Sequence, residues 1–533
     1  MTQIRAEHVT FYYGGSHQEI FRDMSFTIDT DWKLGLVGRN GRGKTTLLKL
    51  LMGLEEYEGR IVSPEGFLYF PFRTETVPGE MTYETAERIF PEHEHWMLCR
   101  ELGLLDMDPE VLYRPFETLS QGERTRVLLA LLFLKEDHFL LIDEPTNHLD
   151  EAGRACVSRY LGRKKGFILV SHDRSFLDGC IDHVMAINRQ GIQVVQGNFS
   201  SWWEDKRRQD LWELEENERL KKEIGRLSEA ARRAERWSEK TEKTKTGTRI
   251  GGLKPDRGAI GHKAAKMMKR AKSTERRMEN AVKEKSALLK NVETAQQLKL
   301  FSLKHDKEVL VRFRDVSLAY GEREVCRNVS FTLTGEDRLA LAGGNGCGKS
   351  TVLKAILLEA ERRGGCCVGR PRSAPENGEA EQRAQLRVTG GVIELAPALK
   401  ISVVPQDSSF LRGSLDNYIE ETGADPTLFK MLLRKLDFSR EHFEKPMEEY
   451  SEGQRKKVLL AGSLAARAHL YLWDEPLNYI DVFSRVQLEE LLAGTRLPLL
   501  YVEHDKIFVE KTASLVYPLD FQYNDKKVNV QVR

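Results

Sequence analysis

Long apolar runs are missing from this sequence. The longest uninterrupted one is the eight residues Val127–Leu134, against the ~20 that a bilayer-crossing helix needs. Paired cysteines are missing as well. Seven stand at 99, 156, 180, 326, 347, 366 and 367, an odd number without a C-x-x-C spacing. That argues against a disulfide scaffold, a zinc site or an iron–sulfur domain, and fits reduced thiols. The opening MTQIRAEHVTFYY has no apolar core ahead of a small-residue cleavage site. A cytoplasmic protein with no membrane partner is therefore expected. Net charge is nearly absent too: 82 Lys+Arg against 81 Asp+Glu leave +1, which names no partner. What is present is 533 residues, 40% hydrophobic and 31% charged, too many for one compact domain.

The chain repeats itself. GRNGRGKT (38–45) and GGNGCGKS (343–350) both match G-x-x-x-x-G-K-[ST]. LSQGE and YSEGQ follow, then FLLIDEPTNHLD and LYLWDEPLNYID, then LVSHD and YVEHD. Lys44 and Lys349 are 305 residues apart, Ser120 and Ser451 are 331 apart, and His172 and His504 are 332 apart. The second copy thus holds extra residues between its first two motifs. The segment near 367–391, rich in Pro, Gly, Glu and Arg, is expected to be a surface loop. Two α/β domains are expected, at 1–200 and 306–533.

Each motif carries chemistry. GLVG (35–38) reads as a buried strand and TTLLKLLMG (45–53) as a helix, the setting a phosphate loop requires. The backbone of Gly38, Asn40, Gly41, Gly43 and Thr46, and of Gly343, Asn345, Gly346, Gly348 and Thr351, would turn its N–H groups toward phosphate oxygens. Lys44 and Lys349 would meet the β- and γ-phosphates of ATP, and the hydroxyls of Thr45 and Ser350 would hold Mg²⁺. Asp143 and Asp474, at strand ends, would orient that metal, and Glu144 and Glu475 would polarise the attacking water. His172 and His504 are candidate sensors of the γ-phosphate. Tyr13 and Tyr320, 31 and 29 residues before their lysines, are candidates to stack on adenine.

This set resembles an ATP-binding cassette ATPase, twice over. The resemblance implies a monomer whose two halves form a head-to-tail sandwich. Each ATP would lie between one P-loop and the other half's signature, pairing Lys44 with Ser451 and Gly453, and Lys349 with Ser120 and Gly122. It also implies a Q-loop glutamine that touches the metal. Gln406 fills that place in VVPQD, but the first half reads YFPFR, with Phe72 there. The second signature carries Glu452, and DEPLNYID departs from DEPTNHLD, so the two sites are expected to be unequal.

The segment 201–305 lacks these motifs. Leu220, Ile224, Leu227, Ala231 and Ala234 form one apolar stripe, and Met278, Ala281, Leu288, Val292 and Ala295 form another. Between them 246–261 holds five glycines and Pro255. The pattern predicts a long antiparallel coiled-coil linker with a loop at its tip. From Arg233 to Arg277 there are 15 Lys+Arg and 5 Asp+Glu, a net of +10, so the remaining chain carries −9. Such a probe suits folded RNA better than a duplex groove, and DNA is not expected as a partner. Lys243, Lys245, Arg249, Lys254, Arg257 and Lys263 are the candidate RNA contacts.

Tandem cassettes joined by a basic helical linker resemble the ABC-F class of ribosome-associated ATPases. WKLGLVGRNGRGKTTLLKLL and WDEPLNYIDVFSR carry a closer similarity to bacterial antibiotic-resistance members. The resemblance implies docking on the 70S ribosome at the E site, against 23S rRNA and P-site tRNA. The linker tip would then help dislodge lincosamides, streptogramins A and pleuromutilins. A general translation factor of the same class, or an exporter's ATPase subunit, are the alternatives.

Overall fold

The computed structural model describes residues 2–13, 19–72, 77–91, 93–135, 137–147, 149–188, 191–243, 300, 302–368, 386–519 and 530–531. The chain divides into two compact units: Met1–Ser200 with Gln297–Arg533, and Ser201–Gln296.

In the first cassette an antiparallel ribbon comes first, β1 (Gln3–Tyr12) and β2 (Glu19–Asp29). In β1 Ile4 and Ala6, and after a register shift Val9 and Phe11, are buried, two period-2 pairs of a one-sided sheet. β3 (Lys33–Val37) follows and runs through the glycine-rich turn into α1 (Lys44–Leu51). Then come β4 (Glu58–Val62), β5 (Gly66–Phe70), α2 (Thr82–Ile89), α3 (His95–Leu104) and α4 (Gln121–Leu132). β6 (His138–Asp143), α5 (Glu151–Gly162), β7 (Phe167–Val170), α6 (Arg174–Cys180), β8 (His183–Asn188) and β9 (Gly191–Gln196) complete it. The small sheet is ordered β2-β1-β4 and the large one β5-β6-β7-β3-β8-β9. In the large sheet β5, β6, β7, β3 and β8 are parallel, and β9 closes the edge antiparallel. Buried on both faces, β6 and β7 read as unbroken apolar runs, FLLI and FILV.

The second cassette repeats this plan. β10 (Val309–Tyr320), β11 (Arg323–Thr334) and β14 (Leu386–Leu395) form the small sheet. The large one is ordered β13-β15-β16-β17-β12-β18-β19, from β12 (Arg338–Ala342), β13 (Cys366–Val368), β15 (Lys400–Val404), β16 (Leu470–Asp474), β17 (Leu499–Val502), β18 (Leu515–Pro518) and β19 (Val530–Gln531). Helix Lys349–Arg362 follows β12 as α1 follows β3. In each cassette the ends of three neighbouring parallel strands, β6-β7-β3 and β16-β17-β12, converge on one edge of the sheet. That crevice at the carboxyl ends of the strands is where α/β sheets bind ligands.

One expectation is corrected. The segment 367–391 is not one loop, because its last residues belong to β14, which pairs antiparallel with β10 from Val311↔Leu395 to Tyr320↔Leu386. The β-branched residues of LRVTGGVIEL give that run strand character, and Gly391 takes a positive φ of 73° where a Cβ would meet the Arg314 and Asp315 carbonyls. Cys366–Val368 is strand as well, while 369–385 lie outside the described residues.

In the second unit α7 (Phe199–Lys243) is a single helix of 45 residues, roughly 68 Å at 1.5 Å per residue. Leu220 and Ile224 of the first stripe are half-buried. The side chains from Leu227 to Ala234 in that stripe, and that of Lys243, are not among those described. The second stripe, the loop at 246–261 and Lys245, Arg249, Lys254, Arg257 and Lys263 lie outside the described residues.

Candidate functional site

Each P-loop is shaped by its glycines. Gly43 and Gly348, the residues before the two lysines, have φ of 90° and 97°. A Cβ there would come within 2.7 Å of Ile20 and 2.9 Å of Val325, so both conformation and space call for glycine. The helices that follow present free N–H groups to the loop, the geometry that favours phosphate. Lys44 Nζ donates to the Gly38 carbonyl at 2.8 Å and to Asn40 Oδ1 at 3.1 Å. Lys349 Nζ donates to the Gly343 and Gly344 carbonyls at 2.8 and 2.7 Å. Both ammonium groups are buried, and burial holds the Lys44 pKa below its ordinary value.

The signature serines are helix caps. Ser120 accepts from the Glu123 amide at 3.2 Å, and Glu123 returns the bond to the Ser120 amide at 2.8 Å. Ser451 and Gln454 form the same reciprocal box at 3.3 and 2.9 Å. The spacing S-x-x-[EQ] satisfies two orphan donors at each helix start. Each serine therefore stands at a positive helix end.

The two halves face each other through these parts. A cavity of 740 Å³ is lined by Asn345, Gly346, Gly348, Lys349, Ser350, Thr351, Gln406, Glu475 and His504 of the second cassette and by Ser120 and Gly122 of the first. At the other P-loop, Asn40 Nδ2 donates to the Tyr479 carbonyl at 2.9 Å, and a Cβ on Gly453 would lie 2.9 Å from that same nitrogen. The structure thus brings each P-loop against the opposite signature helix. Gly41 and Gly346 turn the loops with φ of 79° and 80°.

Acids and histidines close each site. Thr45 Oγ1 lies 3.4 Å from Asp143 Oδ2, and Ser350 Oγ lies 3.1 Å from Asp474 Oδ1. Glu144 and Glu475 both take left-handed backbone, φ 50° and 47°. His172 Nε2 is 3.4 Å from Glu144 Oε1, and His504 Nε2 is 3.8 Å from Glu475 Oε1. Glu144 Oε1 and His504 Nε2 are buried without a hydrogen-bond partner. Such orphaned atoms fit a site shaped for a polar ligand. The hydroxyl–carboxylate pairs are hard oxygen donors of the kind Mg²⁺ prefers. Among the described residues no group of three or more His, Cys, Asp or Glu is placed to hold a metal ion. A cation here would therefore draw further oxygens from the nucleotide and water.

The environment sets the proton states. Burial, then the charge of Asp143, pushes the Glu144 carboxyl up to about 8. Burial, then the Lys349 and Arg154 cations, pulls His504 down to about 4, and burial with Lys44 and Arg485 holds His172 well below its usual range. An unfolded imidazole takes up a proton near pH 6.5, whereas these folded ones resist it. Stability is therefore lost as pH falls from about 6.5 toward 4, on the order of 2 kcal/mol at pH 5 for His504. Thermal melts at pH 7.5 and 5 should show a smaller acid-induced drop in Tm for the His172→Gln/His504→Gln variant than for the wild type.

The adenine candidates differ. Tyr13 is 38% exposed, and its hydroxyl lies 3.1 Å from Thr46 Oγ1, which sets its ring beside the P-loop helix. Tyr320 packs half-buried against the second cassette's core. Gln406 Nε2 donates to Glu475 Oε2 at 2.9 Å. Phe72 packs on Phe70 and Phe90 instead.

The motifs did not reveal the ion pairs behind the histidines. Asp173 and Asp505, which follow His172 and His504, cap their helices. Each also pairs at 3.1 Å with an arginine of its own cassette, Arg154 and Arg485. Across the halves, Arg174 forms a bidentate pair with Glu489 and lies 3.7 Å from Asp505 Oδ1. The repeated D-x-x-x-R at 150–154 and 481–485 was the available clue. Arg39, inside the first P-loop, also pairs with Asp437 at 2.9 Å.

Comparison with known proteins follows the same division. A family model described as "ABC transporter" matches residues 21–147 and 326–478, together more than half of the chain. Ribosome protection protein VmlR of Bacillus subtilis (strain 168) is 27% identical over 525 residues, 97% of this chain and 87% of that protein. Erythromycin resistance ATP-binding protein MsrA of Staphylococcus epidermidis is 24% identical over 506 residues, 92% of each. Among solved structures, the complex of archaeal ribosomal stalk protein aP1 with the archaeal ribosome recycling factor aABCE1 matches with a TM-score of 0.57 and 18% identity. That match covers 96% of this chain and 87% of that one, and it speaks for the fold.

Proposed function

Since the chain belongs to the ABC transporter family, as a tandem ATPase of the ABC-F class, we propose that its ATP cycle acts on the ribosome and not on a membrane. Support comes from the similarity to a ribosome protection protein that runs through both cassettes and the segment between them. Among the described residues no helix is long and apolar enough to cross a membrane.

In this reading ATP is gripped between each P-loop and the facing capped helix. Lys44 and Lys349 leave their own loop carbonyls for the phosphates. Mg²⁺, held through Thr45 with Asp143 and through Ser350 with Asp474, with Gln406 near the second, would neutralise phosphate charge. Glu144 and Glu475 accept the proton of the attacking water, and His172 and His504, kept neutral by burial, hold the γ-phosphate side of the pocket. Loss of that phosphate removes the ligand's share of the contact between the halves, so ATP favours the closed sandwich and hydrolysis favours its opening. The closed form would dock at the E site with its basic linker toward 23S rRNA and P-site tRNA. Displacement of lincosamides, streptogramins A and pleuromutilins would follow.

The test is co-sedimentation. A Glu144→Gln/Glu475→Gln variant with ATP should pellet with 70S particles, and a variant that stays in the supernatant refutes ribosome association. Expression in a drug-sensitive host should raise lincosamide and pleuromutilin inhibitory concentrations several-fold. Ribosome binding with unchanged drug sensitivity would assign the protein to general translation.

A further inference from the structure

The two sites differ at a place the ATPase motifs do not cover. β5 runs beside β6, and β15 beside β16, in matching parallel register: Tyr69 pairs with Leu141 and Val403 with Leu472. Each of these stands two residues before its aspartate, so Tyr69 and Val403 are equivalent positions. Three residues on, the chain reaches Phe72 in one half and Gln406 in the other. The first site has a tyrosine and then a phenylalanine; the second has a valine and then a glutamine.

Hydrogen bonds follow that exchange. At the second site Gln406 donates to Glu475, and Val403 has nothing to donate. At the first site the Phe72 ring lies 6.2 Å from Phe70 and 5.4 Å from Phe90, edge-on to both. The polar contact comes from the strand instead. Tyr69 Oη donates to Asp143 Oδ2 at 3.1 Å, the oxygen that Thr45 Oγ1 meets at 3.4 Å. A rigid ring with two torsions, rooted in a paired strand, fixes a carboxylate better than a long side chain on a loop.

We propose that Tyr69 is a positioning residue of the first site, which holds the Asp143 carboxylate for the metal that accompanies ATP. Its donor on β5 reaches the aspartate, whereas Gln406 of the second site reaches the glutamate Glu475. The inference rests on the assignment of Asp143 to Mg²⁺. With one oxygen anchored, the carboxylate cannot swing away when the phosphates enter, and part of the ordering is complete before ligand binds. The two sites thus anchor different members of the acidic pair, the aspartate in the first and the glutamate in the second.

The test compares Tyr69→Phe with its parent, both carrying Lys349→Ala so that the first site dominates nucleotide binding. A fluorescent ATP analogue is titrated with Mg²⁺ and, separately, in EDTA. Mn²⁺ electron paramagnetic resonance of the nucleotide-bound protein reports on the metal itself. Phenylalanine keeps the packing, so a merely structural ring would change nothing. The expected result is about a tenfold higher Mg²⁺ requirement, with binding in EDTA unchanged and broader Mn²⁺ lines. An unaltered Mg²⁺ requirement in a variant of unchanged Tm overturns the proposal, and so does an equal loss in EDTA. A parent indifferent to Mg²⁺ overturns the metal assignment of Asp143 and the proposal with it.

Discussion

Replacing Glu144 and Glu475 together with Gln is expected to lower ATP turnover at least ~100-fold while leaving ATP binding intact, because a positioned general base contributes roughly 10²–10⁴. Neither carboxylate contributes to the grip on phosphate, which falls to the P-loops and capped helices. Burial, then the charge of Asp143, raises the Glu144 carboxyl in the free protein, and a cation arriving with ATP would lower it again and free it to act as the base. Glutamine is close in shape to glutamate, and little stability should be lost. The single variants should differ. Glu475 is joined to Gln406, while the first cassette has Phe72 in the glutamine's place, packed on Phe70 and Phe90, and a tyrosine on the aspartate beside Glu144. Steady-state phosphate release measures all three proteins. A double variant that keeps more than about a tenth of wild-type turnover would remove the glutamates from the general-base role.

Arg174→Ala is expected to cost about 3–5 kcal/mol, because it strips one partner from a buried ion pair. Arg174, Glu489 and Asp505 are 4%, 3% and 1% exposed, and their pairing joins the two cassettes. Alanine would leave the Glu489 carboxylate with Lys511 alone, 3.1 Å away and largely in solvent. The matched control is Arg159→Ala, whose pair with Asp106 is 65% and 62% exposed and should contribute less than about 1 kcal/mol. Denaturant titration, with proteolytic sensitivity of the chain between the cassettes, reads the difference. Arg174→Met with Glu489→Leu should recover much of the loss, since apolar groups of similar volume replace buried ions at little cost. Equal effects of Arg174→Ala and Arg159→Ala would show that the buried pair does not hold the halves together.

Much of this was legible because it is local. A strand, a glycine turn, a lysine and a helix occupy the nineteen consecutive residues Lys33–Leu51, and the repeat supplied its own control: every motif but the Q-loop glutamine appeared twice, in one order. The capping boxes at Ser120 and Ser451 also lie within four residues. What escaped was long-range. Arg174 and Glu489 are 315 residues apart, and nothing in either neighbourhood marks the pairing. Tyr69 stands in GFLYF, which reads as an apolar strand, and only its register beside β6 turns the phenol toward Asp143. β14 was hidden because a Pro- and Gly-rich stretch runs into it, so composition averaged two unlike segments.

The left-handed backbone of Glu144 and Glu475 sets stability against activity. Each glutamate sits where an L-residue with a Cβ is disfavoured by roughly 1–2 kcal/mol, while asparagine or glycine would settle there more readily. Every step toward a more relaxed turn at these two positions would remove a proposed base. A chain improved only for thermal endurance would therefore drift toward a well-folded clamp that closes on ATP and does not reopen. Glutamate at both positions thus trades some stability for the proposed turnover.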